Sequence, residues 1–173
     1  MNKLFICDYE RAHPVKYRAG TCFLRLLKHH ELRFMFWGRL EQTSSSKICK
    51  RFVKMILHKY RRKYGLEINF DNVGEGLRLI HPWNITMNAN AVLGSNVTLY
   101  KGCTIGEITE GRRKGNPVIE NGVIVYANAT ICGNVNVGEN SIIGPGAFVN
   151  FDVPENAIVI GNPGVIHYKK NEK

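Results

Sequence analysis

A period of six is the strongest constraint on what this chain can fold into. In the stretch VGENSIIGPGAF, Val137-Gly-x-x-Ser is followed six residues on by Ile143-Gly-x-x-Ala. The full ladder runs Ile119, Val125, Ile131, Val137, Ile143 and Val149, all β-branched. Four residues after each rung comes a mostly small residue: Val123, Ala129, Val135, Ser141, Ala147 and Val153. An upstream block repeats in its own frame through Val73, Leu79, Ile85, Ala91, Val97 and Cys103. Cys103 and Ile119 are sixteen residues apart, not a multiple of six, so a segment at about 106–117 interrupts the repeat.

An amphipathic helix needs apolar residues at steps of three and four, and a half-buried strand needs them at alternate positions. A fixed six-residue repeat fits neither and marks a β-helix, in which each short strand is one side of a triangular coil. Three hexads make a coil of about 18 residues, and coils stack at roughly 4.8 Å so that backbone groups pair from coil to coil. The aliphatic rung points into the prism. The small residue lies near its inner corner, and the Gly and Asn of the turns (GEN, GPG, NAN, GSN) supply positive φ cheaply.

Charge divides the chain at about Gly65. Of the formal net charge of +10, residues 1–64 carry +12 and residues 65–173 carry −2. The basic segment predicts helices in PVKYRAGTCFLRLLKH, HELRFMFWGRLEQ and SSSKICKRFVKMILHKYRRKYG, the last with Ser caps and a Gly65 stop. These helices cap the solenoid, and their basic face is either solvated or meets an anionic membrane or lipid-linked acceptor. No nucleic-acid motif accompanies the charge. No apolar run reaches membrane-spanning length, and the N-terminus lacks a secretory pattern, so a cytoplasmic protein is expected. The five scattered cysteines suggest neither disulfides nor a zinc site.

The hexapeptide pattern, the run NPVIENGVIVYANATICGNVNVGENSIIGPGAFV and the closing IGNPGVI are similar to the left-handed β-helix acyltransferases. Among these the chain most resembles serine acetyltransferases and related sugar and polysaccharide O-acetyltransferases. The resemblance implies a mainly β fold, a left-handed parallel β-helix preceded by a small α-helical region. The layout is residues 1–64 helical, 65–166 β-helix with a loop at 106–117, and 167–173 a basic tail. It also implies acetyl-CoA as donor and a homotrimer with sites between neighbouring prisms.

The chemistry expected is acetyl transfer to a hydroxyl. A neutral alcohol is a weak nucleophile, and a histidine near its usual pKa can take its proton during attack on a thioester. His81, in LRLIHPWN, stands near a turn and faces outward. Glu67, in GLEIN, lies a little under one coil upstream, where a carboxylate could fix the imidazole tautomer. Serine acetyltransferases carry Val-Asp-Ile-His-Pro and, one coil later, Leu-Asp-His. Their catalytic Asp and His correspond to Glu67 and His81 here. Two acceptor-binding positions depart from the family. The Asp before the catalytic His is Ile80, and a second His, after the interrupting loop, is Asn116. The lost carboxylate favours a neutral acceptor, a sugar or polysaccharide precursor, with L-serine as the alternative and a non-catalytic scaffold as a further one. Donor-binding candidates are Arg112, Arg113 and Lys114 in the loop, Ala127, Gly133, Gly144, Pro145 and Gly146 along the coils, and Lys169 and Lys170 in the tail. Two solenoid histidines are too few for the three-His zinc site of the carbonic anhydrases that share this fold, so no metal is expected. Cys103 is expected in the core and Cys132 outside it, neither with a base to make it an acyl carrier.

Overall fold

The computed structural model describes residues 2–13 and 16–168. Four helices precede the solenoid: α1 (Lys3–Ala12), α2 (Ala19–Lys28), α3 (His30–Thr43) and α4 (Lys47–Tyr64). The sequence predicts α2 to α4 but not α1, whose signals are modest: an Asn2 side-chain cap on the Leu4 amide and a buried Phe5/Tyr9 pair. Ser46 caps α4 through the Cys49 amide, and Gly65 ends it in the left-handed conformation at φ +66°, as expected.

Among the described residues fourteen short strands follow. The first coil holds β1 (Leu66–Glu67) and β2 (Arg78–Ile80); the second holds β3 (Ile85–Met87), β4 (Val92–Leu93) and β5 (Thr98–Tyr100). The third holds β6 (Thr104–Gly106), β7 (Val118–Ile119) and β8 (Ile124–Val125); the fourth holds β9 (Thr130–Cys132), β10 (Asn136–Val137) and β11 (Ile142–Ile143). The last holds β12 (Phe148–Val149) and β13 (Ala157–Ile160), and β14 (Val165–Tyr168) folds back antiparallel on β13. Three parallel ladders result: β1-β3-β6-β9-β12, β4-β7-β10 and β2-β5-β8-β11-β13. They form the three sides of the prism, called here the first, second and third sides.

Every predicted rung and small-residue position is buried, from Val73 through Val153. The register corrects the upstream frame, however. Leu93, Leu99 and Ile105 pair with Ile119, Val125 and Ile131, so they are the aliphatic rungs there. Ala91, Val97 and Cys103 are the small corner residues instead. Leu79 pairs with Leu99, and Met87 pairs with Ile105. The step from rung to rung is therefore eight residues from Leu79 to Met87 but six from Leu99 to Ile105. The corner His81-Pro82-Trp83-Asn84 thus carries two extra residues and bulges from the prism. Fourteen residues separate Ile105 from Ile119, so the predicted loop adds eight to the regular hexad.

The helices are fixed to the first coil by a buried ion pair. Arg39 and Asp8 are both fully buried and meet in a two-bond fork, Nε to Oδ2 at 2.8 Å and Nη2 to Oδ1 at 3.0 Å. The remaining Arg39 donors reach Gln42 Oε1, Val73 O and Gly74 O, at 2.8, 2.8 and 2.6 Å. Asp8 Oδ1 also accepts from the Leu77 amide at 2.9 Å. One guanidinium thereby ties α1, α3 and the first coil together. Gly38, beside it, leaves room for the Phe70 ring, which lies under 2.5 Å from where a Cβ would stand.

Candidate active site

His81 directly follows β2, at the corner between the third and first sides. Its φ is +49°, in the left-handed region. The other described non-glycine residues with positive φ are all asparagines: Asn84, Asn96, Asn128, Asn140 and Asn156. Asparagine tolerates this conformation through local hydrogen bonding; histidine is also found there at a modest cost in strain, and such positions gather at functional sites. His81 is exposed, as its expected role needs. Its neighbour Trp83 packs edge-on against Tyr64 at 5.0 Å and His30 at 5.9 Å, so the helices buttress the bulged corner.

Glu67 faces outward from β1, in register with Thr86. Its carboxylate meets Arg61 of α4 at 3.1 Å. Among the described residues no hydrogen bond or ion pair joins it to His81. Glu67 also lines a cavity of about 490 Å³ between α4 and the first coil, with Lys54, His58, Arg61 and Asp71.

The donor-binding candidates divide between two edges of the prism. Corner amides stack along the edge that bears His81: Asn84 N donates to Tyr64 O, Gly102 N to Trp83 O, Asn128 N to Lys101 O and Gly146 N to Ala127 O. Ala127, Pro145 and Gly146 therefore share the His81 edge, two to three coils along it, or about 10–15 Å at the strand spacing. The exposed Pro145-Gly146 turn is open to a ligand, whereas Gly144 is buried, with Val159 O at 2.9 Å from where a Cβ would stand.

The loop lies on the next edge, between the first and second sides. Its ends close through an antiparallel pairing of Ile108 with Gly115. Arg113 is not a free phosphate donor, because it binds Asn134 O at 3.2 Å and Asp152 Oδ2 at 3.0 Å. The Asn136 amide and Arg113 together hold the Asp152 carboxyl below its usual range. Arg112 and Lys114 are exposed and make no ion pair among the described residues. Gly133 lies beneath the loop at φ +86°, and a Cβ there would meet Arg113 O at 2.7 Å. Its glycine serves the loop rather than a ligand. Gly133→Ala should lower stability by about 2 kcal/mol and loosen the loop; thermal unfolding and protease cleavage within 107–115 would show both.

Asn116 sits where the loop rejoins the coil, and its Oδ1 is buried without a partner. Ile80 is half-buried and opposite Tyr100, which stacks on Tyr126 at 4.8 Å. Ile80 is thus the head of an apolar row along the third side. Cys103 is a buried thiol pushed up to about 11 by burial, and burial also raises Cys132. Among the described residues Cys103 bonds only to the Val125 and Tyr126 carbonyls, and no hydrogen bond or ion pair joins Cys132 to a basic side chain. Among the described residues no three His, Cys, Asp or Glu side chains are grouped to hold a metal ion. Lys169 and Lys170 lie outside the described residues.

A prism of stacked hexapeptide coils, with a loop on one edge and a positive-φ histidine on another, is a left-handed parallel β-helix, the fold of the solved serine acetyltransferases on which it superposes. Residues 116–150 match the family described as bacterial transferase hexapeptide (six repeats). The chain is 32% identical over 117 residues to the serine acetyltransferase of Synechococcus elongatus, covering 67% of this chain and 48% of that protein. It is 30% identical over 110 residues to that of Bacillus subtilis, covering 63% and 51%. The chain therefore spans about half the length of these curated relatives. The structure superposes on Neisseria gonorrhoeae serine acetyltransferase in complex with serine with a TM-score of 0.77, at 28% identity, over 95% of this chain and 68% of that one. The left-handed β-helix with a helical N-terminal region, expected from the resemblance, is the fold found.

Proposed function

We propose that this chain is an acetyl-CoA-dependent O-acetyltransferase acting on a small-molecule hydroxyl, with His81 as general base. What carries the reading is the strained, exposed His81 at a bulged corner of a serine acetyltransferase-like prism. In the step proposed, His81 takes the proton of the acceptor hydroxyl as its oxygen attacks the thioester carbonyl. A C–O bond forms, the C–S bond breaks, and the CoA thiolate leaves and is protonated. The donor lies along the Ala127, Pro145 and Gly146 edge. Arg112 and Lys114 belong to the next edge, so a second copy of the chain would bring a loop to a His81 edge. This supports the homotrimer the resemblance implies, and Val92 and Val118, exposed at 39% and 41% on the second side, give it apolar surface. Glu67 orients His81 in this reading only after leaving Arg61.

For the acceptor, the relatives favour L-serine over the carbohydrate expected from the sequence. The second reading, a sugar hydroxyl, is supported by Ile80 and Asn116, which leave no carboxylate or histidine where the family binds serine. Release of free CoA from acetyl-CoA with L-serine as sole acceptor separates the two. Serine-dependent release makes this a serine acetyltransferase. Its absence from a protein that binds acetyl-CoA gives the carbohydrate reading. Absence of acetyl-CoA binding altogether would leave the non-catalytic scaffold.

No described helix is long and apolar enough to cross a membrane. The comparisons lend no support to membrane contact. A peripheral contact would rest on α4, which exposes Ile48, Phe52 and Met55 beside its lysines and arginines.

A further inference from the structure

Helix α4 carries eight lysines and arginines and no acidic residue among its 18. Two of the eight have a carboxylate partner among the described residues: Lys54 meets Glu41 at 3.6 Å and Arg61 meets Glu67 at 3.1 Å. Val53, Leu57, Tyr60 and Tyr64 turn inward and pack on the core. Away from them Ile48, Phe52, Met55, Lys59 and Arg62 follow one another at steps of four and three, so they share one stripe. Its apolar members are 84%, 55% and 61% exposed. The helix therefore presents a second apolar face, mixed with cations, after its first is buried.

Helix α2 does the same. Phe23, Leu24 and Leu27 are exposed while Cys22 is buried. Arg33 of α3 stands between the two faces. Its Nη1 donates to Leu26 O at 3.0 Å and Leu27 O at 2.8 Å, at the end of α2. The same side chain lines a cavity of about 190 Å³ with Lys59, Tyr60, Lys63 and Tyr64 of α4. Three cations thus share one open space, and no acidic side chain lines it. At about 30 Å³ for a water, there is room for a group several times that size, such as a phosphate.

The carboxylates of the helical layer are engaged elsewhere. Asp8 holds Arg39, Glu10 accepts from the Tyr17 amide, Glu31 meets His29 and His30, and Glu41 meets Lys54. The excess of +12 on residues 1–64 is not neutralised within the layer.

Charge selects the occupant of this surface. A second copy related by a two-fold axis would set Arg51, Lys59 and Arg62 against their own like charges. A nucleic acid would take the cations and leave the large apolar side chains without a use. An anionic bilayer takes both, the cations at its headgroups and the apolar side chains at the acyl boundary.

We propose that the α2 and α4 faces dock on the surface of a bilayer rich in anionic phospholipid, with a phosphate headgroup seated among Arg33, Lys59 and Lys63. The docked surface adjoins the candidate active site, because Tyr64, which lines the cavity, packs against Trp83 at 5.0 Å, two residues beyond His81.

The test is flotation of the whole chain with vesicles of phosphatidylcholine alone and of equal parts phosphatidylcholine and phosphatidylglycerol. Wild type should float with the mixed vesicles only, and less as salt rises. Phe52→Gln leaves the charge unchanged and should lower partitioning at least about tenfold. Lys59→Gln with Lys63→Gln should lower it about 30-fold. All three positions are exposed, so these variants leave the core intact. No flotation with the mixed vesicles would overturn the proposal, and equal flotation with phosphatidylcholine alone would remove the headgroup contact. Unchanged partitioning of Phe52→Gln would reduce the binding to charge and overturn the docking face. Sedimentation velocity without lipid should give wild type and Phe52→Gln the same assembly; a smaller one in the variant would assign the face to a second copy and also overturn it. Neither measurement involves acetyl-CoA, so failure of the docking and failure of the transfer reading are seen separately.

Discussion

His81→Asn should reduce kcat by about 10²–10⁴-fold, the range expected when a positioned general base is removed. In barrier terms that is about 3–5 kcal/mol. Asparagine is the informative replacement because it already holds five left-handed positions in this solenoid, Asn84 among them. It can adopt φ near +49° without new strain, so the corner survives while the base does not. Alanine would add a conformational penalty at the same site and confuse the two effects. Acetyl-CoA affinity, measured by calorimetry, should be unchanged, because the turn proposed to bind the donor, Pro145-Gly146, lies coils away. The readout is free CoA released with whichever acceptor supports turnover. Activity equal to wild type would remove His81 from the mechanism.

Arg39→Ala should cost about 3–5 kcal/mol of stability. The loss comes less from the attraction between Arg39 and Asp8 than from what remains. Asp8 would be left fully buried without its counter-ion; burial already raises its pKa, and only the Leu77 and Gly76 amides would remain to hold its carboxylate, so it would be left protonated or uncompensated. Val73 O and Gly74 O would also lose their donors at the junction of helices and prism, although Gln42 Nε2 still reaches Val73 O at 3.3 Å. Denaturant unfolding of Arg39→Ala, Asp8→Asn and the double variant would show the coupling. The double variant should lose markedly less than the two single losses added together, since each partner is costly mainly when the other is left alone. Additive losses would mean that the fork is not the link between α1, α3 and the first coil.

These two expectations differ in how far the sequence foretold them. The rungs from Ile119 to Val149 declare the prism without help, because a six-residue step fits no helix and no hairpin. The basic segment before Gly65 shows its last three helices through apolar spacing, caps and stops. His81 and Glu67 could be named from their segments, and so could the loop, since it breaks the period. The two extra residues at the His81 corner were also present in the chain as a frame slip between Leu79 and Met87. They were hidden because Leu79, a rung, and Ile85, which holds a corner position two residues before the rung Met87, happen to stand six apart.

Other features had no local signal. Asp8 and Arg39 are 31 residues apart, and nothing near either one marks it as buried. Arg113 looked like a phosphate ligand beside Arg112 and Lys114, until folding set it against Asp152, 39 residues on. Gly133 looked like a groove residue and proved to be the floor of the loop. By itself, then, the sequence determined the repeating unit of this protein and the residues of its proposed chemistry, because a period and a motif are properties of neighbours along the chain. Which charges are paired, which are left open and which edge each occupies was decided by the tertiary structure, because those depend on distances between residues that the chain separates by a coil or more.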